Sequence, residues 1–415
     1  MKRVVITGMG ALTPIGNSVE EFWQNAIAGK SGAAPITYFD TTNYKTKFAC
    51  ELKDFDITQH LDKQLIRKTD PYTQYALVAA KEALDQAGIS TETVDMEQVG
   101  VIWGSGQGGL YTIEEELREI MRNDELPRFS PYFLPKMLAN MASGVLSLHF
   151  GIKGMSYTTI SACATSNTAI MDAFNYIRWG KLPMILTGGS EFGITTGAVG
   201  GFNALRALST RNDDPTTASR PFDAERDGFV LGEGAGALIL EDYDHAIARG
   251  ATIYAEVVGA AMTSDAYHLT ASHPEGEGAA RGMQQALTEA GITAQDVDYV
   301  NMHATSTPLG DLSEIHALTT VFGEDPKHLH VSAIKSMIGH LLGAAGAIEA
   351  IACIQAMRHG IVPPTINTTT PDPQVPAGLN LTLGEAVKKD VRYTMNNNFG
   401  FGGHNSISIF KRWEE

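Results

Sequence analysis

The stretch that decides the fold is Thr158–Phe174, which reads TTISACATSNTAIMDAF. A short run of β-branched residues leads to Cys163, and apolar residues then recur at helical spacing until Gly180. The pattern predicts a strand, a sharp turn and a buried helix, with Cys163 at the start of the helix. A thiol there faces unpaired N–H groups and the positive end of the helix dipole, which favour the nucleophilic thiolate. On this window alone, a small buried cysteine in the core is the alternative.

A faint internal repeat extends this pattern to the whole chain. Residues 83–89, ALDQAGI, are echoed by residues 286–292, ALTEAGI. In each copy the glycine suits a helix C-cap, and an apolar strand with a loop of small residues follows. We therefore predict two related α/β halves, residues 1–250 and 251–415, packed face to face around buried, mostly parallel sheets.

Composition and charge exclude several classes of protein. The chain has 31 Lys and Arg against 47 Asp and Glu, a net charge of −16, which argues against a nucleic-acid partner. Its three cysteines, Cys50, Cys163 and Cys353, exclude a disulfide scaffold and suit a reducing compartment. The longest apolar stretch, residues 341–354, contains Glu349 and is too short to span a membrane. We expect a soluble, cytoplasmic protein without membrane insertion.

Two histidines in the second half follow apolar elements. His303 comes where an apolar strand stops, and His340 comes at the entry of an apolar helix. A helix N-terminus disfavours imidazolium, so His340 is expected to be neutral and to have an N–H free to donate toward an oxyanion. Lys335 and Glu349 flank it on apolar elements. Because a buried charge needs a partner, we predict that they form a pair, with Asp311 as a third member.

A small basic group stands out in this acidic chain. Lys63, Arg67 and Lys68 fall on one face of a helix predicted to begin near residue 62, and Arg128 and Arg206 are loop-borne. These five residues, called the basic group below, are candidates for binding an acidic partner. The simpler alternative for such residues is a solvated helix face.

Five motifs, in order along the chain, resemble those of the β-ketoacyl-[acyl-carrier-protein] synthases, most closely the type called synthase II. The resemblance covers essentially the whole chain and makes the match highly specific. The motifs are Ser161–Thr165, Arg220–Asp223 with Arg226–Phe229, His303 with Thr305–Thr307, Lys335–Ser336 with Gly339–His340, and Asn398–Gly403.

The resemblance implies a fold and a reaction. The fold would be the α/β thiolase fold, two duplicated halves in α-β-α-β-α layers, in a homodimer. Cys163 would take an acyl chain from acyl carrier protein (ACP) as a thioester. His303 and His340 would then assist decarboxylation of malonyl-ACP, and the resulting carbanion would attack the acyl group. This is a decarboxylative Claisen condensation, as in fatty acid elongation, with the backbone N–H groups of Cys163 and Phe401 as the oxyanion hole.

Other roles are implied residue by residue. Lys335 would order the histidines, supported by Glu349 and Asp311. Thr305 and Thr307 match positions that hydrogen-bond the phosphopantetheine arm, and Phe401 matches a gate whose flanking glycines permit movement. The remaining residues assigned to substrate binding on the same basis are Gln107, Phe133, Phe202, Phe399 and His404.

Partners and cofactors follow from the same comparison. The basic group matches the face that docks the acidic carrier protein, which reverses the preference for a solvated face. No cofactor is required, because phosphopantetheine arrives on the carrier. The resemblance also implies a structural monovalent cation at Asn301, Glu349, Asn396 and Asn397.

Three departures from the family pattern leave the acyl preference open. Ala304 stands where Gly is usual, His404 where Thr is frequent, and Gln107 where an apolar side chain usually lines the acyl pocket. A buried amide would penalise a plain alkyl chain, so a type II polyketide or polyene ketosynthase with the same chemistry is the main alternative. A catalytically silent carrier-binding subunit and a cysteine hydrolase are further alternatives. Cys163 and both histidines argue against the former, and the second histidine and the lysine against the latter.

Overall fold

The computed structural model describes residues 1–124 and 126–414. Its strands are β1 (Val4–Leu12), β2 (Ala34–Pro35), β3 (Phe48–Ala49), β4 (Val99–Gly104), β5 (Ser156–Thr159), β6 (Met184–Glu191), β7 (Gly234–Asp242), β8 (Ala255–Ser264), β9 (Tyr299–Asn301), β10 (His330–Ser332), β11 (Ile361–Val362), β12 (Val387–Lys388), β13 (Tyr393–Gly400) and β14 (His404–Arg412). Its helices are α1 (Val19–Ile27), α2 (Lys63–Lys68), α3 (Pro71–Ala87), α4 (Leu110–Arg122), α5 (Phe133–Met137), α6 (Met141–Phe150), α7 (Thr165–Arg178), α8 (Thr196–Ala204), α9 (Tyr243–Ala248), α10 (Glu277–Ala290), α11 (Pro308–Phe322), α12 (Lys335–Ile338) and α13 (Ala345–His359).

The repeated sequence forms matching helix ends. The repeat in α3 ends at Gly88, and the repeat in α10 ends at Gly291. Both glycines adopt left-handed backbone angles, with φ of 66° and 68°, which a residue without a side chain adopts at low cost. The predicted C-caps are confirmed, and each helix is placed against the first strand of its own half.

The main strands form two sets of five with the same order. The first set runs β5-β4-β6-β7-β1 and the second β10-β9-β13-β14-β8. A three-residue pairing of Val4–Ile6 with residues 255–257 joins them at one edge. Within each set two pairings are parallel and two antiparallel, so the prediction of mostly parallel sheets is wrong. Strands buried on both faces are apolar in either direction, and their composition does not reveal this difference.

Helices fill three layers around these two sheets. Helices α7 and α13 contact strands of both sets and form the middle layer. Helices α3 and α6 cover the outer face of the first set, and α10 covers the second, with α11 against α10. This is the predicted five-layer α-β-α-β-α arrangement. The strands of the two sets lie at residues 4–242 and 255–412, and the division at residue 250 remains our domain prediction.

The middle layer positions the candidate site. A short 3-10 turn, Ala162–Ala164, precedes α7, and a second, Leu342–Ala344, precedes α13. The two turns pack against each other, which brings the Cys163 loop of the first half against the His340 loop of the second. In the described part of the chain, no helix combines the length and apolar character needed to cross a bilayer.

Candidate active site

The turn that carries Cys163 has an unusual backbone. Ala162 adopts a left-handed conformation, φ 51°, which costs a residue with a side chain about 1–2 kcal/mol. Thr165 holds it in place, since its Oγ1 accepts from the Ser161 N–H at 2.9 Å and donates to the Ala162 carbonyl at 2.6 Å. A Cβ at Gly400 would lie 2.3 Å from the Ser161 carbonyl oxygen, so glycine is needed for β13 to approach. The result is a fixed turn that presents Cys163 at the start of a buried helix, as predicted.

Buried backbone and side-chain contacts hold both histidines. The N–H groups of His303 and Ala304 donate to the Glu314 carboxylate at 2.9 and 2.7 Å. Nδ1 of His340 accepts from the Leu342 N–H at 3.3 Å, so the neutral ring carries its proton on Nε2. The two rings lie 5.4 Å apart between centroids and nearly perpendicular, at 86°.

One cavity of about 470 Å³ contains the sulfur and both rings. Its lining combines apolar and aromatic residues with a few polar groups, as in small-molecule sites. The residues implied for chemistry or substrate binding that line it are Cys163, His303, His340, Phe401, Thr305, Thr307, Phe202 and Phe399. A nucleophile from the first half therefore shares a cavity with two imidazoles from the second.

Both histidines are neutral at physiological pH. Burial, followed by the positive charge of Lys335, lowers the pKa of His303 and of His340 well below 6.5. This agrees with the prediction of a neutral His340, and burial and the nearby cation are its causes. Neutral rings retain an N–H donor without placing a cation beside the thiol.

The thiol itself does not follow the sequence-based prediction. Burial raises the pKa of Cys163 to about 12, although Lys335 and the Phe401 backbone N–H favour the thiolate. The expected preference for thiolate is therefore wrong for the free chain, because desolvation of the sulfur outweighs these two favourable contacts. The proton must leave the sulfur as the acyl group is transferred.

Comparisons with known proteins agree with this geometry. Residues 1–246 match the family model "Beta-ketoacyl synthase, N-terminal domain", and residues 254–369 match "Beta-ketoacyl synthase, C-terminal domain". The chain belongs to the β-ketoacyl synthase family. This confirms the resemblance stated from the motifs.

Several relatives of this family cover the full chain. A "3-oxoacyl-[acyl-carrier-protein] synthase 2" of Staphylococcus aureus (strain COL) is 50% identical over 414 residues, 100% of this chain and 99% of its own length. A protein with the same name from Synechocystis sp. (strain ATCC 27184 / PCC 6803 / Kazusa) is 44% identical over 413 residues, again covering 100% and 99%. A β-ketoacyl synthase structure from Burkholderia phymatum STM815 is 38% identical with a TM-score of 0.92, covering all of both chains. The similarity confirms the thiolase-type fold of this ketosynthase family member.

The predicted ion pair is present, but its predicted third member is not part of it. Lys335 and Glu349, both buried, form a salt bridge, and Glu349 also accepts from the Asn398 side chain at 2.5 Å. Asp311 does not join them. It lies 3.4 Å from Arg226 Nε and accepts from the Phe222 N–H at 2.9 Å, because α11 turns it toward the Arg220–Phe229 loop.

Sequence reasoning missed the carboxylate that lies beside His303. Glu314 is buried one helical turn after Asp311, and burial raises its pKa to about 7. It accepts the His303 and Ala304 N–H groups and the Asn397 side-chain amide at 3.2 Å. Two buried acidic residues on α11 were the available signal, but the sequence does not show which of them meets the histidine loop and Asn397 of β13.

Three residues assigned to substrate binding do not line this cavity. Gln107 Oε1 lies 3.8 Å from the position a Cβ on Gly193 would occupy and has no hydrogen-bond partner among the described residues. Phe133 stacks on Phe129 at 4.8 Å in a different region. His404 is half-buried, with Nε2 3.1 Å from the position a Cβ on Gly402 would occupy. This chain alone does not bring these three residues to the cavity.

The basic group lies on the surface. Its helical members, Lys63, Arg67 and Lys68, are exposed on α2, and Arg128 is exposed on a loop. Arg206 is exposed and lines the cavity. Within residues 1–124 and 126–414, none of the five forms a salt bridge, so their charges are available to a partner.

The implied cation site is entirely buried. Asn301 Nδ2 donates to Asn396 Oδ1 at 3.2 Å, and Asn397 Oδ1 has no donor partner in the described part of the chain. That free oxygen is of the kind that a hard cation prefers. Both oxygens of Glu349 already accept from Lys335 and Asn398. The asparagines fit a cation better than the carboxylate does.

Proposed function

We propose that this chain is a β-ketoacyl-ACP synthase that extends acyl chains by decarboxylative condensation, as in fatty acid elongation. The single observation that carries the proposal is the shared cavity, where Cys163 meets two neutral histidines. The family and the names of the full-length relatives support the same reading.

The first half-reaction loads the enzyme. Cys163 Sγ attacks the carbonyl carbon of an acyl-carrier thioester, and its S–C bond forms as the carrier's S–C bond breaks. The thiol proton leaves with the carrier thiol. The Cys163 and Phe401 N–H groups would stabilise the tetrahedral oxyanion, because donors fixed in a dry site need no reorganisation.

The second half-reaction uses the histidines. The malonyl carboxylate leaves as CO₂, and its bonding electron pair forms an enolate on the carrier thioester. The N–H on His340 Nε2, with His303 beside it, would donate to the enolate oxygen. The carbon then attacks the acyl-Cys163 carbonyl and displaces the sulfur as a thiolate, which takes a proton from solvent as the product leaves. Exclusion of water by the surrounding phenylalanines would protect the carbanion.

An acidic carrier protein is the proposed partner. The names of the relatives include acyl-carrier-protein, and a structure titled "AntDE:AntF (apo): type II PKS acyl-carrier protein in complex with its ketosynthase bound to the hexaketide" is 31% identical with a TM-score of 0.92 over both full chains. The basic group would dock it, with Arg206 at the cavity. Thr305 and Thr307, whose hydroxyls lie 3.1 Å apart in the cavity, would bind the phosphopantetheine arm.

Charge reversal tests this docking proposal. Lys63→Glu with Arg67→Glu should weaken carrier binding about tenfold or more at low salt and less at high salt. Lys327→Glu, at an exposed lysine already paired with Asp325, is the matched control. Unchanged carrier affinity in the double variant would refute the docking site.

A homodimer is the proposed assembly. Strand β5 is at the edge of its sheet, and among the described residues its one strand neighbour is β4. Ile160 directly follows β5, and α6, which packs against β5, contacts α5, which in turn contacts α4. This region carries exposed apolar side chains: Leu117, Met121, Leu134, Leu138, Leu148 and Ile160. An open edge with an apolar surround is a template for pairing, and a second copy would cover it. Sedimentation of the purified protein as a monomer at micromolar concentration would refute this.

The proposals on cofactors and on the cellular compartment depend on fewer observations. A structural monovalent cation would bind at the buried asparagines, supported by the free Asn397 Oδ1. No other cofactor is needed for the two half-reactions. The cytoplasm is the proposed compartment, since Cys50, Cys163 and Cys353 are all free thiols.

A polyketide or polyene ketosynthase is the second candidate function. The unpartnered Gln107 Oε1 favours it over a plain alkyl chain, because the enol hydroxyl of a poly-β-keto chain would donate to this acceptor. A ketosynthase/chain length factor structure titled with ishigamide is 35% identical with a TM-score of 0.93 over both full chains. Mass spectrometry of the protein with saturated and polyene acyl carriers, followed by malonyl carrier, tests both. Loading and extension of saturated chains alone supports fatty acid elongation.

A further inference from the structure

The two halves place equivalent turns in contact at the centre of the molecule. The turn Ala162–Ala164 and the turn Leu342–Ala344 each have three residues and lead directly into the middle-layer helices. Their first residues share a left-handed backbone, with φ of 51° at Ala162 and 49° at Leu342. Position by position, Gly343 is therefore the duplicate of Cys163.

The strand ends above these two turns also correspond. Strand β13 ends at Gly400 and strand β6 at Glu191, and both strands have eight residues in matching positions of their sheets. A Cβ on Gly400 would lie 3.2 Å from the Cys163 nitrogen, so glycine leaves this side of the first turn free of a side chain. Over the second turn the side chain of Glu191 fills the matching space.

The Glu191 carboxylate collects donors from both halves. It accepts from the Gly343 N–H at 2.9 Å, the Gly106 N–H at 2.7 Å, the Gln107 N–H at 3.0 Å and the Ser105 hydroxyl at 3.0 Å. Its side chain is fully buried. The Gly343 N–H is the duplicate of the Cys163 N–H, which is one of the proposed oxyanion donors.

The geometry points to Glu191 as a built-in anion that accepts from the duplicate of the Cys163 oxyanion-hole N–H and thereby fixes the nucleophile turn against the histidine turn. It is a positioning residue: it acts through the backbone and does not line the reaction cavity. The inference rests on the proposed function, because that function identifies the first hole.

The contacts of Glu191 connect it to both His340 and the Cys163 turn. Gly343 follows Leu342, whose N–H holds the ring of His340. On the other side, a Cβ on Gly106 would lie 3.5 Å from the Ala162 carbonyl oxygen, next to the nucleophile. Loss of the carboxylate would leave three buried N–H groups without an acceptor and release the second turn. Misplacement by about 1 Å at a reacting group can cost on the order of 10²-fold in rate.

Chemical rescue tests this role. Glu191→Ala opens a space lined by N–H groups that a small anion can enter. We expect kcat for condensation to fall at least about tenfold at pH 8, with an unchanged KM for the acyl carrier, since Glu191 touches no substrate. Sodium formate should restore kcat in a saturable manner, whereas formamide, its neutral analogue, should not.

Glu233→Ala is the matched control. Glu233 is a second fully buried carboxylate, held by Tyr75 at 3.3 Å and the Leu52 N–H at 2.9 Å rather than by the two turns. Formate should leave the rate of this variant unchanged. Formate should also raise the melting temperature of Glu191→Ala and leave that of the wild type unchanged, which gives a readout even if the variant is too unstable to assay.

The isosteric variant separates this inference from the proposed function. In Glu191→Gln, acyl loading and malonyl decarboxylation are measured separately. The rate of each should fall less than the rate of condensation, because only condensation needs both turns correctly placed relative to each other. Wild-type condensation in either variant, or a loss that formate does not restore, would overturn the role of Glu191. Wild-type protein that neither loads acyl groups nor releases CO₂ would instead refute the proposed function.

Discussion

The turn that carries Cys163 and the turn that carries Gly343 have the same backbone and different uses. Each begins with a left-handed residue and leads into a buried helix of the middle layer. The first presents a sulfur to a cavity of about 470 Å³, and the second is closed by the carboxylate of Glu191. The difference shows that duplication supplies a frame, while a few side chains decide which copy of the frame is open to substrate.

The largest expected effect is loss of the sulfur. Cys163→Ala should abolish condensation, by at least about 10³-fold, because no thioester can form. The melting temperature should change little, since alanine fits a turn already built of small residues. Comparing condensation assays with a thermal melt checks both. Full condensing activity would refute the nucleophile assignment.

Alanine at Gly343, the matching position of the second turn, should lower folding stability, whereas alanine at Cys163 should not. A Cβ at Gly343 would lie 2.3 Å from the Gly106 nitrogen and 2.6 Å from Glu191 Oε2. Gly343→Ala is therefore expected to destabilise the fold by about 1–3 kcal/mol through overpacking. Urea denaturation measures this. Stability equal to that of Cys163→Ala would contradict the tight closure of the second turn.

A smaller effect should appear in the pH dependence of stability. Burial raises the pKa of Glu191 to about 7, above its ordinary value of 4.5. Between these pH values the folded state binds a proton that the unfolded state has lost, so this group's contribution to stability falls as pH rises from about 4.5 to about 7. Glu191→Gln removes that contribution. The pH slope of the unfolding free energy should become less negative by up to about 1.4 kcal/mol per pH unit.

Urea denaturation of the wild type and Glu191→Gln at intervals between pH 4.5 and 8 provides this measurement. Glu233→Gln is the control, because burial also raises the pKa of Glu233 to about 7, while the hydrogen bonds of its carboxylate go to Leu52 and Tyr75 rather than to either turn. Glu233→Gln should change the pH slope of the unfolding free energy by a similar amount. It should not reduce condensation more than it reduces acyl loading or malonyl decarboxylation. Parallel pH curves for the wild type and Glu191→Gln would contradict a raised pKa at Glu191.

Local patterns allowed much of the site to be predicted. The Cys163 turn, the strand end at His303 and the Lys335–Glu349 pair depend on residues near each other in sequence or on one apolar helix. Strand direction was mispredicted, because apolar strands look alike in parallel and antiparallel sheets. The helical wheel could not distinguish Asp311 from Glu314, since only the fold shows that Asp311 meets Arg226 and Glu314 meets His303.

Contacts between the halves were the least predictable feature. Glu191 binds Gly343 across 152 positions of sequence. Burial has the largest effect on the pKa of Cys163, and residues from both halves surround its sulfur. Such effects arise from packing, which no single window contains. Gln107 was expected in the acyl pocket by resemblance, and within this chain alone it does not line the cavity that contains Cys163.

The most direct test follows the acyl group on Cys163 by mass spectrometry in the wild type and in His340→Ala. Sulfur from one half and imidazole from the other are proposed to act in sequence. In the wild type, an acyl-Cys163 thioester should form from acyl carrier and disappear when malonyl carrier is added. In His340→Ala it should form and then persist. Discharge of the thioester at the wild-type rate in His340→Ala, or an acyl group found on a residue other than Cys163, would contradict the account.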